Sequence, residues 1–152
     1  MQNTRKAEGT TDLRLTLAQI CRRFAVLSLY VFGSRAKEIA ARLSGDGLHP
    51  GPQASDVDIA VQPEKGALQD PIARVRLVQE LEDLFEAQRV DLVVLPETSA
   101  FLAADAVRGE LLYCDDEDRQ AREELYYLRR AADLSPFQQQ RLEGILSGEI
   151  RR

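Results

Sequence analysis

Short apolar runs alternate along this chain with longer stretches in which apolar residues recur every three or four positions. The short runs are typical of buried strands, and the wider spacing is typical of helices with one buried face. The pattern predicts strands at residues 27–32, 57–62, 90–95 and 110–114. It predicts helices at residues 12–24, 34–43, 71–87, 98 or 99 to 107, 116–134 and 135–147, with Pro71 at the first helical position and a break between the last two helices at Ser135-Pro136. Because strands alternate with helices, we expect an α/β fold in which helices pack on a mixed sheet.

Acidic residues lie at the starts of two of the predicted strands. Asp56 and Asp58 are two positions apart in a segment that continues with Ile59-Ala60-Val61, so a strand would point both carboxylates to one face. Asp91 directly precedes the apolar run 92–95, which suggests that a neighbouring buried strand brings in a third carboxylate. Like charges placed side by side need a cation, and carboxylate oxygens suit Mg²⁺. The alternative is that Asp56 and Asp58 line the solvent face of an edge strand and that Asp91 only caps a strand.

A glycine marks the end of the first predicted strand. Gly33-Ser34 lies where strand 27–32 stops and the helical stretch 34–43 begins. A glycine turn that opens onto a helix N-terminus presents free N–H groups and the positive end of the helix dipole, which together favour an anion such as phosphate. Arg35 would add a fork of N–H donors. The alternatives are that Ser34 only caps the helix and that Arg35 only lies on its surface.

The order of these features along the chain is recognisable. It consists of a strand, Gly-Ser, a helix, Asp-x-Asp on the next strand and a third acidic residue on a later strand. In this order the chain resembles the DNA polymerase β-like nucleotidyltransferases, and within them the minimal, MNT-type branch. The resemblance implies the nucleotidyltransferase fold. We expect its core at residues 1–115 and a C-terminal helical extension of the same domain at residues 116–152.

The resemblance also implies a reaction. A hydroxyl oxygen would attack the α-phosphorus of ATP, and pyrophosphate would leave. Asp56 and Asp58 would hold two Mg²⁺ ions, while Asp91 would complete the site of the ion on the nucleophile and take the proton. The β- and γ-phosphates would be bound by Gly33 and Ser34, with help from Arg35.

Length and charge narrow the choice of acceptor. A chain of 152 residues can bury one good core, which leaves no room for the extra substrate domain expected in larger relatives. A formal net charge of -5 argues against binding along a nucleic-acid backbone. No apolar run approaches the length of a membrane span and the first residues are polar, so we expect a cytoplasmic protein with no membrane contact. Another protein is therefore the best candidate for acceptor and partner.

The branch that fits is similar to the MNT-type antitoxins, which are encoded beside HEPN-type ribonuclease toxins and inactivate them by moving AMP from ATP to a toxin tyrosine. Leu111-Leu112-Tyr113, followed by an acidic run and a long charged helix, looks like the tail of that group. Two other functions stay open: an antitoxin that acts by binding alone, and a nucleotidyltransferase for a small molecule such as an aminoglycoside. The tail itself is equally well explained as a solvated helix packed on the sheet.

Three further features carry less information. Cys21 and Cys114 lie in periodic apolar stretches, which predicts buried free thiols rather than a disulfide or a metal site. His49 lies in a loop, with no partner near it in sequence that would make it a catalytic base. That loop, residues 44–54, is rich in glycine and proline and longer than the resemblance leads us to expect.

Overall fold

A mixed sheet of four strands lies at the centre of the structure, a computed structural model that describes the backbone of residues 2–45 and 56–147 and the side chains of residues 12–45 and 56–134. The strands are β1 (Val26–Phe32), β2 (Val57–Pro63), β3 (Val90–Val94) and β4 (Glu110–Cys114). The helices are α1 (Gln2–Arg23), α2 (Ala36–Ser44), α3 (Pro71–Phe85), α4 (Ala100–Val107) and α5 (Glu117–Ser147), and a short 3₁₀ turn spans Leu95–Glu97.

The sheet has the order β3-β2-β1-β4. Strand β1 runs antiparallel to both of its neighbours, β2 and β4, whereas β2 and β3 run parallel. The predicted α/β fold with a mixed sheet is therefore confirmed, and the two strands that carry Gly33 and Asp58 at their ends are the central pair.

Each face of the sheet is covered by its own layer of helices. Helices α1, α2 and α3 pack on one face, where the buried cluster contains Leu17, Ile20, Ile39, Leu77 and Leu81. Helices α4 and α5 cover the other face, where Tyr30 and Ala60 of the central strands meet Ala103, Val107 and Tyr127. Because side chains alternate along a strand, Asp58 lies on the same face as Ala60, the face of α4 and α5.

The first three helices differ from the predicted bounds at their ends. Helix α1 begins at Gln2, ten residues before the predicted start at residue 12. The prediction missed these ten residues because it relied on the apolar spacing, which starts at Leu13. Helix α2 begins at Ala36 rather than at Ser34, because residues 34–35 form a turn closed by a hydrogen bond from the Ala36 N–H to the Gly33 carbonyl at 3.3 Å. Helix α3 begins at Pro71 as predicted and ends at Phe85, two residues early, where Glu86 adopts a left-handed conformation.

The C-terminal segment is one helix and not two. Helix α5 runs from Glu117 to Ser147 without the break predicted at Ser135-Pro136. A proline inside a helix removes one backbone hydrogen bond and disfavours the helical conformation of the residue before it, but it does not forbid that conformation. The prediction of a break gave this local preference too much weight against a long segment of good helix formers.

Residues 46–55 lie outside the described residues, and they include His49 and all but the first two residues of the predicted loop 44–54.

Both cysteines are free thiols, as predicted, although only Cys21 is fully buried and Cys114 is half-buried. Burial raises the pKa of the Cys21 thiol to about 12, which makes it a poor nucleophile. None of the helices described has a long enough apolar stretch to cross a membrane.

Candidate active site

Two carboxylates face each other across the parallel pair of strands β2 and β3. Asp58 is in register with Asp91 on β3 and, on its other side, with Phe32 at the end of β1. Asp56 lies two residues before Asp58, directly ahead of β2, and all three acidic side chains are partly exposed. The predicted convergence of the β2 and β3 aspartates is therefore present. It occurs on the face of the sheet that α4 and α5 cover, where β1 ends and where β2 and β3 begin.

The edge-strand alternative for the aspartates is wrong. Strand β2 is internal, since it pairs with β1 on one side and β3 on the other. Strand β3, which the sequence suggested to be buried, is the edge strand, and its middle residues are only half-buried. A carboxylate on an internal strand that is partly covered by helices has a cost in free energy that a solvent-facing edge residue does not have.

The Gly33 turn lies directly against the Asp58 carboxylate. Gly33 has a φ of +80°, a left-handed conformation that favours glycine, and a Cβ at this position would overlap the Asp58 Oδ2 atom. Only glycine therefore satisfies both the turn and the close approach of the acidic side chain. The two motifs, 25 residues apart in sequence, form one site.

The charges of this site are coupled to one another. Burial raises the pKa of Asp58 above its ordinary value, and the nearby charges of Asp91 and Asp56 raise it further. Arg89, just before β3, partly balances them: its Nε atom lies 3.2 Å from Asp91 Oδ1 and 3.8 Å from Asp56 Oδ2. The charges of the three carboxylates thus affect one another, and the Arg89 guanidinium lies close to two of them.

The donor set suits a hard cation. Among the residues whose side chains are described, no three acidic, histidine or cysteine side chains already converge on a single point. Three observations nevertheless favour a cation here: oxygen donors alone, mutual repulsion among the carboxylates, and a guanidinium bridging two of them. The residues present therefore fit Mg²⁺.

Arg35 is buried at the start of α2. Its side chain is only 5% exposed, so the surface alternative is wrong. Its Nε and Nη2 atoms donate to the Glu38 carboxylate at 3.0 and 2.7 Å, and Arg42 donates to the same carboxylate at 3.0 Å. The guanidinium of Arg35 thus stabilises the first turn of α2 through its hydrogen bonds to Glu38. A contact between Arg35 and phosphate stays a prediction.

Ser34 is exposed and does not cap α2. Arg35 is the residue at the N-cap position, and no side-chain hydrogen bond caps the helix there. Because the Ser34 hydroxyl is not used in capping, its role toward phosphate stays a prediction that the geometry allows.

An open cavity of about 420 Å³ adjoins the Gly33-Ser34 turn. Two basic residues that the sequence analysis missed line it, Lys37 in the first turn of α2 and Arg108 at the end of α4. The position of Lys37, three residues after Ser34 in the predicted helix, could have revealed it. Arg108 had no such signal, because only the pairing of β4 with β1 brings the end of α4 beside Gly33.

Comparison with known proteins agrees with this geometry. The family described as "Polymerase beta, Nucleotidyltransferase" matches residues 16–118, which include every acidic and turn residue discussed above. No curated protein matches the chain.

Solved structures share the fold. A crystal structure of a toxin–antitoxin complex with AMP-PNP aligns with a TM-score of 0.65 at 22% identity and covers 88% of this chain and 98% of its own. A crystal structure of the toxin–antitoxin MntA-HepT aligns with a TM-score of 0.57 at 22% identity, covering 92% of this chain and 99% of its own. A tri-AMPylated Shewanella oneidensis HEPN toxin in complex with an MNT antitoxin aligns equally well, with a TM-score of 0.57 at 22% identity and coverage of 93% and 99%. With a sequence match over most of its length, three carboxylates beside a glycine turn and this fold, the chain belongs to the polymerase β nucleotidyltransferase family.

Proposed function

We propose that this protein transfers AMP from ATP to a hydroxyl group, that of a tyrosine, on a HEPN-type ribonuclease toxin, and so acts as the antitoxin of a toxin–antitoxin pair. The observation that carries the proposal is the pairing of Asp58 with Asp91 beneath the Gly33 turn. Two like charges held side by side next to an anion-binding turn suit a reaction in which a cation neutralises phosphate.

The residues of the site have distinct roles in this proposal. The backbone of Gly33 and the hydroxyl of Ser34 bind the β- and γ-phosphates at the start of α2. Lys37, on the wall of the adjoining cavity, adds positive charge for the same phosphates, whereas Arg108 on that wall lies 3.8 Å from the carboxylate of Asp105. Mg²⁺, held by Asp56, Asp58 and Asp91, supplies charge compensation for the attacking and the leaving oxygen when it is bound.

The chemistry is a single substitution at phosphorus. The acceptor oxygen forms a bond to the α-phosphorus of ATP, the bond from that phosphorus to the bridging oxygen breaks, and pyrophosphate leaves with the electron pair. Asp91 accepts the proton of the acceptor hydroxyl, because it lies at the outer strand, where an acceptor can approach from solvent.

A protein acceptor is favoured over a small molecule or a nucleic acid. The structures that share the fold include a toxin carrying AMP groups beside an MNT antitoxin and a toxin–antitoxin complex with AMP-PNP. The formal net charge of -5 disfavours a nucleic-acid partner. A ribonuclease toxin acts on cellular RNA, so the proposal includes a cytoplasmic location for the pair.

The test is transfer of labelled AMP to the protein encoded by the neighbouring gene, with Mg²⁺ present and with EDTA as the metal-free control. Asp58→Asn and Asp91→Asn should each lower transfer at least 100-fold, the size of loss expected for a group that stabilises the transition state directly. Asp83→Asn, a matched change on the exposed surface of α3, should transfer AMP at the wild-type rate.

The other outcomes separate the alternatives. A tight complex without labelled partner, in which Asp58→Asn still neutralises the toxin, would indicate an antitoxin that acts by binding alone. Transfer to an aminoglycoside, with no complex and no labelled protein, would indicate a small-molecule enzyme.

A further inference from the structure

Helix α5 carries an arginine-rich face that the proposed reaction does not use. Arg122, Tyr126, Arg129 and Arg130 are spaced so that they share one side of the helix, and all four are exposed. We call these four residues the α5 basic face. Within the described part of the chain, none of its three arginines makes a hydrogen bond or ion pair.

Two cavities flank Tyr126 on this face. One, of about 490 Å³, lies between α5 and the sheet, and the other, of about 660 Å³, lies along the outer side of the helix. Arg122, Tyr126 and Arg130 line both of them. Tyr126 is 58% exposed, and the neighbouring Leu125 is 46% exposed, so the face offers apolar area as well as charge.

The charges left over on this face are positive. Arg119 and Glu123, which line the inner cavity, pair with each other at 2.6 Å. Among the residues whose side chains the structure describes, Asp133 is the remaining acidic residue that lines either cavity, so three arginines face one further carboxylate. A ligand that fits this surface therefore carries negative charge.

We propose that the α5 basic face is the docking surface for the partner protein, and that it receives a patch of aspartate and glutamate side chains on that partner. Tyrosine and arginine, together with tryptophan, are enriched in the energetically dominant positions of protein interfaces. Their combination here, around cavities that an inserted side chain can fill, is typical of such a site. The inference rests on the proposed function in one respect: it takes the partner to be a protein.

The pattern of charges around the face favours a protein over a nucleic acid. The acidic run Asp115-Asp116-Glu117-Asp118 begins at the N-terminal end of the same helix, and Asp133 follows at the other end of the basic face. A phosphate backbone is uniformly charged and would run from the arginines onto these carboxylates. A folded partner can place its acidic side chains only opposite the arginines.

Docking at this face would leave the candidate active site open. The inner cavity is lined by Leu27, Gln62 and Pro96, which lie at the opposite end of the sheet from Gly33 and Asp58. Gly33 follows Leu27 by six positions along β1 and its end, which corresponds to about 20 Å along a strand. One partner molecule could thus be held at one end of the sheet while an extended segment, or a second copy, enters the other.

The experiment measures the dissociation constant of the complex with the protein encoded by the neighbouring gene, at low and at high salt. The double variant Arg122→Glu/Arg130→Glu, and separately Tyr126→Ala, should each raise the dissociation constant about tenfold or more. The salt dependence should be weaker for the double variant. Arg22→Glu/Arg76→Glu, an equal charge change at exposed positions of α1 and α3, should change the constant by less than about twofold.

Each other result has a definite meaning. Wild-type affinity in both α5 variants, with the complex intact, overturns this inference and leaves the proposed function standing. Loss of affinity for single-stranded RNA instead of the partner also overturns it, since the face would then be a nucleic-acid contact. If wild-type protein forms no complex with the neighbour, the partner in the proposed function fails and this inference fails with it. Arg122→Gln/Arg130→Gln replaces the double variant if charge reversal impairs folding.

Discussion

Gly33 connects the backbone of the turn with the chemistry of the carboxylates. Its left-handed conformation alone could be met at some cost by another residue, but the contact with Asp58 leaves no space for a side chain. Gly66 offers a comparison within the same chain, because it has a similar φ of +85° and, apart from its two chain neighbours, no described residue has an atom within 4 Å of the place that a Cβ would take.

We expect Gly33→Ala and Gly66→Ala to lose about 1–2 kcal/mol each in free energy of unfolding for the left-handed backbone. Only Gly33→Ala should also lose binding of a non-hydrolysable ATP analogue, because its methyl group displaces the Asp58 carboxylate. Urea unfolding and calorimetric titration measure the two effects. Equal analogue binding by the two variants would contradict the account of the Gly33 turn.

Asp58 is the residue whose charge costs the fold most at this site, since burial and two neighbouring carboxylates raise its pKa. A raised carboxyl pKa means that the folded state binds a proton more tightly, so the penalty is present at neutral pH and disappears as the pH falls below the ordinary value. In EDTA at pH 7, Asp58→Asn should therefore raise the free energy of unfolding by about 0.2–1 kcal/mol, the size of a cross-strand charge pair.

With Mg²⁺ and an ATP analogue present, Asp58→Asn should instead have a lower free energy of unfolding than the wild type, because only the wild type gains stability by binding them. Thermal unfolding in the two buffers, and at acid pH, measures the difference. If Asp58→Asn were less stable than the wild type in EDTA, the Asp58 carboxylate would stabilise the fold by more than its repulsion from Asp56 and Asp91 destabilises it.

Among the elements, helix α2 is positioned by a cluster of charges beneath its first turns. Glu38 accepts hydrogen bonds from Arg35 and Arg42, and Arg42 also donates to the Phe85 carbonyl at the end of α3. The hydrogen bond from Arg35 holds the pKa of Glu38 below its ordinary value, although burial opposes it. This cluster fixes the start of α2, and with it the turn at Gly33.

We expect Glu38→Gln to lower the free energy of unfolding by about 2–4 kcal/mol at pH 7, because it removes the negative charge that accepts hydrogen bonds from both Arg35 and Arg42. A lowered carboxyl pKa stabilises the fold at pH values above the unfolded pKa, so the difference from wild type should shrink between about pH 5 and pH 3. Chemical unfolding across this range measures it.

The matched control is Glu80→Gln, which breaks the ion pair with Arg23 on the surface. The Arg23 side chain is 59% exposed, so this change should cost less than about 1 kcal/mol. If the two variants lost the same free energy of unfolding at pH 7, the hydrogen bonds of Glu38 would stabilise the fold no more than the exposed Arg23–Glu80 pair does.

In the molecule as a whole, α5 completes the second core layer. Glu123 accepts hydrogen bonds from Ser28 and Tyr30 of β1, and Tyr127 donates to Gln62 of β2. Burial and the neighbouring Glu123 raise the pKa of Tyr30, which keeps its hydroxyl a donor. Without α5, this face of the central strands would expose both the tyrosine and the polar groups bonded to it.

We therefore expect residues 1–115 to fail to fold cooperatively on their own, whereas residues 1–134 should unfold in a single transition. The longer chain keeps every side-chain contact described for α5, and the shorter one loses the cover of Tyr30 and Ala60. Urea unfolding followed by circular dichroism distinguishes them. A cooperative transition in residues 1–115 would mean that the C-terminal segment is an appendage and not an extension of the same domain.

The elements and the motifs could be predicted from the amino-acid sequence. The apolar spacing was sufficient for all four strands and for the mixed α/β architecture, because both the period and the turn residues are local signals. Gly33, Asp58 and Asp91 could be identified in the same way, since each interrupts or ends an apolar run. The start of α1 and the continuity of α5 through Pro136 were missed, because local signals there were absent or misleading.

The contacts that these residues make follow from the tertiary structure alone. The order β3-β2-β1-β4 places Asp58 on a central strand and Asp91 on the edge strand beside it, and no local pattern encodes strand order. Arg89, Arg108 and the pairing of Arg35 with Glu38 were likewise invisible, because charged side chains have no periodic signal and acquire meaning only from their neighbours. Short-range sterics and solvation determine which residues prefer burial or a turn, and both can be read locally, whereas electrostatic partners are set by long-range packing.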